Sequence, residues 1–184
     1  MSDVVVIDYG AGNTRSVRSS LTTLGFSSVV SADPDTIRGA RNVILPGVGS
    51  ARSAMTHLEA TGAAEALVDR FTNGDDIVGI CLGLQLALEA SQEDGGVKGL
   101  GLVEGLVVRL ETPRIPRLGW AIVDPWDEAF YFAHSYVAES PHMVATSEGL
   151  CVAVRKESFF GVQFHPEKSD AAGLKFLEQC LSRA

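Results

Sequence analysis

Residues 77–90 read IVGICLGLQLALEA: a short apolar run, a cysteine between two glycines, then an apolar-periodic stretch. Residues 77–80 suit a strand buried on both faces, and residues 82–90 suit a helix. In a G-x-nucleophile-x-G sequence a strand ends, the chain turns sharply and a helix begins. The flanking residues must be small to clear the neighbouring strand and helix. Gly79 and Gly83 hold those positions around Cys81. A nucleophile placed there gains twice. The helix N-terminus favours thiolate over thiol, and the Leu82 N–H is free to donate to an oxyanion. Five residues alone leave a second reading open, a small buried cysteine in a glycine-rich turn.

Outward from this turn, strands and helices alternate through the first half of the chain. Residues 4–8 (VVVID) and 42–45 (NVIL) are further apolar runs, broken by Gly10 and by PGVG at 46–49, and 28–31 is a shorter strand. Val17, Leu21 and Leu24 share a helical face over 14–24, and Gly25 stops that helix. Asp33-Pro34 opens a short helix by cap chemistry, and 51–72 reads as helix in two pieces around Thr61-Gly62. Such alternation makes a parallel sheet with helices on its faces. The second half is mostly strand-like segments separated by turn residues, followed by a helix over 170–182 carrying Leu174, Leu177 and Leu181. The expected fold is α/β, a single domain over 1–184. Its central, mostly parallel sheet is flanked by helices, with antiparallel strands added at one edge.

Composition narrows the function. A formal charge of −8 on 184 residues argues against nucleic-acid backbone binding. No run reaches the roughly 18–20 apolar residues of a membrane span. The start, MSDVVVIDYG, has no basic leader region, so a cytoplasmic protein is expected. Cys81, Cys151 and Cys180 are widely spaced and suggest neither a disulfide framework nor a zinc site. No metal or other cofactor is expected.

A nucleophilic cysteine needs a base, and the base an orienter. Of four histidines, His57 reads as a surface helix residue and His142 as an exposed turn residue. His134 lies in YFAHSY. His165 ends an alternating strand, with Glu167 two residues on. Residues i and i+2 of an extended segment face the same side, and Pro166 keeps His165 extended. Cys81, His165 and Glu167 therefore form a candidate nucleophile, base and orienter. The glycines of PGVG permit close approach to the turn, and even a peptide flip.

The motifs LPGVG, GICLGLQ and FHPE, in this order along the chain, resemble those of class I glutamine amidotransferases. VVVIDYGAGN, GVKGLGLVEGLVVRL and YFAHSY are similar to one branch of that class, the glutaminase subunits of imidazole glycerol phosphate synthases. The resemblance runs from about residue 4 to 169 and implies a flavodoxin-like fold. It implies that glutamine is hydrolysed through a thioester on Cys81, with His165 and Glu167 completing the triad. It also implies a partner, a barrel-shaped cyclase subunit in a heterodimer. That subunit uses the ammonia to make imidazole glycerol phosphate and aminoimidazole carboxamide ribotide, in histidine biosynthesis. Matched to the family's motifs, Val48, Gly49 and Leu82 belong to the oxyanion hole. Gln85, Glu93, His134, Ser135 and Tyr136 match substrate-binding positions, with Glu93 on the α-amino group.

The chain departs from the family at Arg117 and Ala121, where the usual motif has His and Asn. That loop is expected to face the cyclase. The connection between Trp120 and Tyr131 is also short. Two other readings within the fold are a glutaminase serving another acceptor and a non-catalytic scaffold. The intact triad positions weigh against the scaffold. GAGNTRS after the first strand lacks the third glycine of a dinucleotide-binding fingerprint, where Arg15 stands instead.

Overall fold

A computed structural model describes residues 3–182 apart from Gly12 and Pro113. The first half follows the expected alternation. Strands β1 (Val4–Ile7), β2 (Ser28–Ser31), β3 (Asn42–Leu45) and β4 (Ile77–Ile80) interleave with helices α1 (Thr14–Thr23), α2 (Pro34–Arg38), α3 (Ala51–Thr61) and α4 (Ala63–Asn73). Gly62, at φ 77°, divides α3 from α4 in the left-handed conformation that glycine adopts without strain. After α5 (Leu82–Ala87) come β5 (Ala90–Ser91), β6 (Val97–Lys98), β7 (Leu106–Arg109), β8 (Arg117–Val123) and β9 (Glu128–His134). Then follow β10 (Tyr136–Glu139), β11 (Met143–Ser147), β12 (Leu150–Lys156), β13 (Phe159–Val162) and α6 (Asp170–Leu181).

Seven strands form the main sheet in the order β11-β12-β13-β4-β3-β1-β2. The five from β13 to β2 are parallel, and β12 and β11 extend one edge antiparallel. The remaining strands lie outside that sheet, and Asp124, just past β8, bridges Thr146 of its edge strand β11. They make a four-stranded sheet, β10-β7-β5-β6, and the two-stranded β8–β9 hairpin.

The apolar runs are continuous because both faces of the main sheet are covered. Val5, Ile7, Val43 and Leu45 pack with α3 and α4 through Met55, Leu58 and Leu67. Val4, Val6, Ile44 and Ile80 face α1 and α6 through Val17, Leu21, Phe176 and Leu177. Successive residues of each strand therefore enter different cores.

Helix α5 stops at Ala87, short of the expected residue 90. The loop at 99–103 takes up its last carbonyls: the Leu100 amide donates to Leu86 O (2.8 Å) and the Leu102 amide to Ala87 O (2.9 Å). Ala90–Ser91 instead pairs with Leu106–Val107. Backbone partners supplied from elsewhere in the chain outweigh helical propensity here.

The topology also locates the site. Strand β4 lies between β3 and β13. Three segments therefore meet at the carboxyl ends of adjacent parallel strands: the turn after β4, the PGVG loop after β3 and the QFHPE segment after β13. Open α/β sheets bind ligands at such ends.

Candidate active site

Cys81 sits at φ 51°, ψ −104°, a conformation that costs energy in a non-glycine residue. Its neighbours hold it there. The Cys81 amide donates to Val162 O at 2.7 Å, and the Gln85 amide donates to Cys81 O at 3.3 Å. The glycine requirement is steric. A Cβ at Gly79 would come within 2.8 Å of the Phe159 ring, and one at Gly83 would overlap the Leu45 carbonyl. The turn thus places α5 tightly against β3, with the amide of Leu82 at the helix N-terminus beside the sulfur.

His165 is extended, at φ −102°, ψ 94°, as the following proline requires. Beyond it the chain is not extended. A 3-10 turn, Pro166–Lys168, swings Glu167 under the imidazole. The His165 Nδ1–H donates to Glu167 Oε1 at 2.8 Å, with both side chains buried. That leaves Nε2 for Cys81, the other group that favours the charged imidazole. Burial opposes the charged imidazole, but the bonds and charges of Cys81 and Glu167 outweigh it and raise the His165 pKa to about 9.

His165 therefore stays imidazolium through neutral pH and can protonate a leaving amine. Its stabilising contribution is full below the ordinary pKa of 6.5 and is lost as pH rises through about 9. Turnover measured against pH is expected to show a basic limb near 9. Glu167→Gln is expected to move that limb down by about one unit, ~1.4 kcal/mol of lost charge stabilisation. A limb that does not move would separate Glu167 from the proton transfer.

The PGVG loop lies directly on the turn, since a Cβ at Gly47 would overlap Ile80 O and Leu82 N. The loop is held from beneath. Tyr9, at the end of β1, donates its hydroxyl to Pro46 O at 2.6 Å. Burial raises the phenol's pKa, so it keeps the proton it donates. Val48 lines the cleft as expected, with Pro46, two residues before it, held by Tyr9.

These segments enclose a cleft of about 300 Å³. Ten of the eleven residues singled out in the sequence line it: Val48, Gly49, Cys81, Leu82, Gln85, Glu93, His134, Ser135, Tyr136 and His165. Glu167 stands behind His165. Glu93 Oε2 accepts the Ala51 amide at 3.2 Å, and burial, outweighing that bond, raises its pKa. His134 donates from Nδ1 to Tyr136 O at 2.8 Å; burial lowers its pKa to about 4, so the ring is neutral. Its Nε2 is buried without a hydrogen-bond partner among the described residues.

A cysteine on a strained strand-to-helix turn, a charged imidazole held by a buried carboxylate and a small polar cleft are an arrangement that can carry acyl transfer through a thioester. The family model for class I glutamine amidotransferases matches residues 5–184. The imidazole glycerol phosphate synthase subunit HisH of Chlorobium chlorochromatii is 42% identical across 95% of this chain and 96% of that protein. The HisH subunit of Methanothermobacter thermautotrophicus is 39% identical over 95% of each chain. This chain is a class I glutamine amidotransferase of the HisH family.

A longer relative of the amidotransferase, the chloroplastic imidazole glycerol phosphate synthase hisHF of Arabidopsis thaliana, is 39% identical over 98% of this chain and 34% of that protein. Among solved structures, one described as a glutamine amidotransferase superposes with a TM-score of 0.83. It is 19% identical and covers 97% of this chain and 98% of that one, a likeness of fold.

Several residues of the amidotransferase site escaped the sequence reading. Asn13 donates its side-chain amide to Glu167 Oε1 at 3.1 Å, so the carboxylate is fixed from a second direction. Ser169 accepts the Tyr131 amide (2.9 Å) and donates to His165 O (2.6 Å), which ties the histidine's backbone to β9. Asn13 lies in the quoted DYGAGN stretch, but only the fold brings it 154 residues along the chain to Glu167. Two histidines differ from expectation. His57 is half-buried, with Nδ1 in reach of Gly10. His142 is held at 2.7 Å by Glu104, which also pairs with Lys156 at 2.8 Å.

The departing Arg117 turns inward. It bonds Ser147 Oγ (2.8 Å) and Glu148, and lies 4.1 Å over the Phe132 ring. The outward positions of the same strand are apolar: Leu118, Trp120 and Ile122 are 65%, 51% and 55% exposed, and Leu118 also lines the catalytic cleft.

Proposed function

We propose that this chain acts as one glutaminase domain that hydrolyses glutamine at Cys81 and passes the ammonia to a cyclase subunit of the same synthase. The observation that carries the chemistry is the buried His165–Glu167 pair directed at the cysteine of the strand-to-helix turn. The thiolate attacks the γ-carboxamide carbon, and the carbonyl electrons move onto oxygen, held by the Leu82 amide and an amide of the PGVG loop. The C–N bond then breaks, and imidazolium His165 gives the departing nitrogen its proton, releasing ammonia and leaving a thioester. The now neutral imidazole takes a proton from water, the resulting hydroxide displaces the sulfur, and glutamate leaves. Glu93 suits the substrate's α-ammonium group, since it is the carboxylate among the cleft's lining residues.

The exposed Leu118–Trp120–Ile122 face, contiguous with the mouth of the cleft, supports docking of the cyclase there in a heterodimer. The hisHF relative supports the same proximity, since a HisH-like segment fills about a third of it. Among the described residues no helix is long and apolar enough to cross a membrane, and no cluster of three metal-ligating side chains occurs. In this reading, which rests on the likeness to biosynthetic enzymes, the reaction runs in the cytoplasm.

A glutamine isostere carrying a diazomethyl ketone in place of the carboxamide tests the site. One equivalent is expected on Cys81, with glutamine protecting. Labelling of Cys151 or Cys180 instead, or none, would overturn the assignment.

A further inference from the structure

Two parts of the cleft wall, Glu93 and the end of the PGVG loop, are tied to each other from outside the cleft, and the mechanism above does not use the tie. Ser50 follows the loop and caps α3, accepting the Ser53 amide at 3.2 Å. Its hydroxyl donates to Asp94 Oδ2 at 2.6 Å, and the same oxygen accepts the Arg52 amide at 3.2 Å. Glu93 Oε2 takes the Ala51 amide, so the first three amides of α3 all have side-chain acceptors, two of them from residues 93 and 94. Arg52 closes the clasp from the helix side. Its Nη2 donates to Asp94 O at 2.7 Å and to Gly96 O at 3.1 Å. Both carboxylates also meet the positive end of the α3 dipole.

The clasp acts on a segment with little order of its own. Asp94, Gly95 and Gly96 stand in a row at positive φ, 54°, 78° and 102°. Two adjacent glycines have many other conformations open to them, and an aspartate stays at positive φ only where its surroundings hold it. Glu93 comes directly before them and is half-buried. Burial raises its pKa, so its charge is held in the wall against the pull of water. Asp94 is exposed, and charged contacts at an exposed site add little to global stability. What they fix is position.

We propose that Asp94 is a positioning residue for the cleft: by clasping the start of α3 it holds the Glu93 carboxylate in the wall beside the end of the PGVG loop. This rests on the reading of Glu93 as the group that takes the substrate's α-ammonium. A carboxylate already in place binds that group without first losing its own freedom. The clasp therefore acts on the glutamine KM and not on the chemistry at Cys81.

Two variants separate the clasp from the turn. Asp94→Gly keeps the left-handed backbone and loses the carboxylate. Asp94→Asn keeps the clasp, because both bonds fall on one oxygen, which an amide also supplies. In the assembled synthase with its ribotide, Asp94→Gly is expected to raise the glutamine KM about tenfold with kcat within about twofold of wild type, and Asp94→Asn to leave both near wild type. In a Glu93→Gln background Asp94→Gly is expected to add nothing further, the mark of one residue acting through another. Hydrogen exchange at the Ala51 amide, which Glu93 holds, reads the same displacement without substrate. It is expected to quicken in Asp94→Gly and stay slow in Asp94→Asn. Where Glu93→Gln itself raises KM, the proposal is overturned by a wild-type KM in Asp94→Gly, by an Asp94→Asn as impaired as Asp94→Gly, or by increments that multiply in the double variant. If Glu93→Gln leaves KM unchanged, or the wild type releases no glutamate, the reading of Glu93 or of the cleft fails instead. Ala51 exchange then decides whether Asp94 holds Glu93, and unchanged exchange in Asp94→Gly overturns it.

Discussion

Cys81→Ser is expected to cut glutamate release by about 10³-fold or more while glutamine still binds. A factor of that size is about 4 kcal/mol in the barrier. The loss comes from the nucleophile itself. The site stabilises a large, polarisable anion through the imidazolium of His165 and the Gln163 amide at 3.4 Å, and a serine hydroxyl holds its proton far more tightly than a thiol does. Binding survives because its determinants, Gln85, Glu93 and the 134–136 segment, lie elsewhere in the cleft. Cys151→Ser is the control. Its sulfur is buried in β12 near Ala153 O at 3.8 Å, and burial raises its pKa to about 11, so it stays a thiol. Glutamate release and calorimetric glutamine binding, measured on both variants, distinguish the two cysteines. Near-normal turnover in Cys81→Ser would remove the nucleophile assignment, and lost binding together with lost turnover would point to a collapsed turn.

The residues that could be found in the sequence are those whose role is written in local spacing. Cys81 is marked by its two glycines, and Glu167 by its distance from His165 across a proline. The parallel part of the sheet was legible chiefly through β1, β3 and β4, which are buried apolar runs with glycine or proline at or near their ends. The second half was less so. Strand-like periodicity does not say which sheet a strand joins, and β8–β9 and β7–β10 pair away from the main sheet through contacts that local sequence does not carry. Helix α5 was read too long because its termination depends on amides from residues 99–103. Asn13, Gln163 and Tyr9 share one property: each acts on a group 37 or more residues away in the chain, Tyr9 on Pro46, Gln163 on Cys81 and Gln85, and Asn13 on Glu167. Only the strand order brings those pairs together.

That strand order also bears on how the amidotransferase is switched on. The isolated chain is expected to hydrolyse glutamine slowly, and a cyclase subunit carrying its ribotide ligand to raise the rate by about 10² to 10³, the worth of one oxyanion donor. The reason is the Tyr9 phenol beneath the loop, which holds Pro46 O at 2.6 Å, two residues before Val48. Turning a loop amide into the cleft strains or breaks that bond, and a partner drives that step only as far as it binds the turned loop more tightly. Tyr9→Phe tests the latch directly. It keeps the ring between β1 and the loop, removes the hydrogen bond to Pro46 O, and is expected to raise partner-independent glutamate release about tenfold while shrinking the partner's effect by a similar factor. The measurement is glutamate release by wild type and Tyr9→Phe, each alone, with the cyclase, and with cyclase and ribotide. Equal wild-type rates in all three mixtures would remove the gate. A gated wild type with an equally gated Tyr9→Phe would keep the switch but take the phenol out of it, since the one change made in that variant is the loss of the hydroxyl that holds Pro46 O.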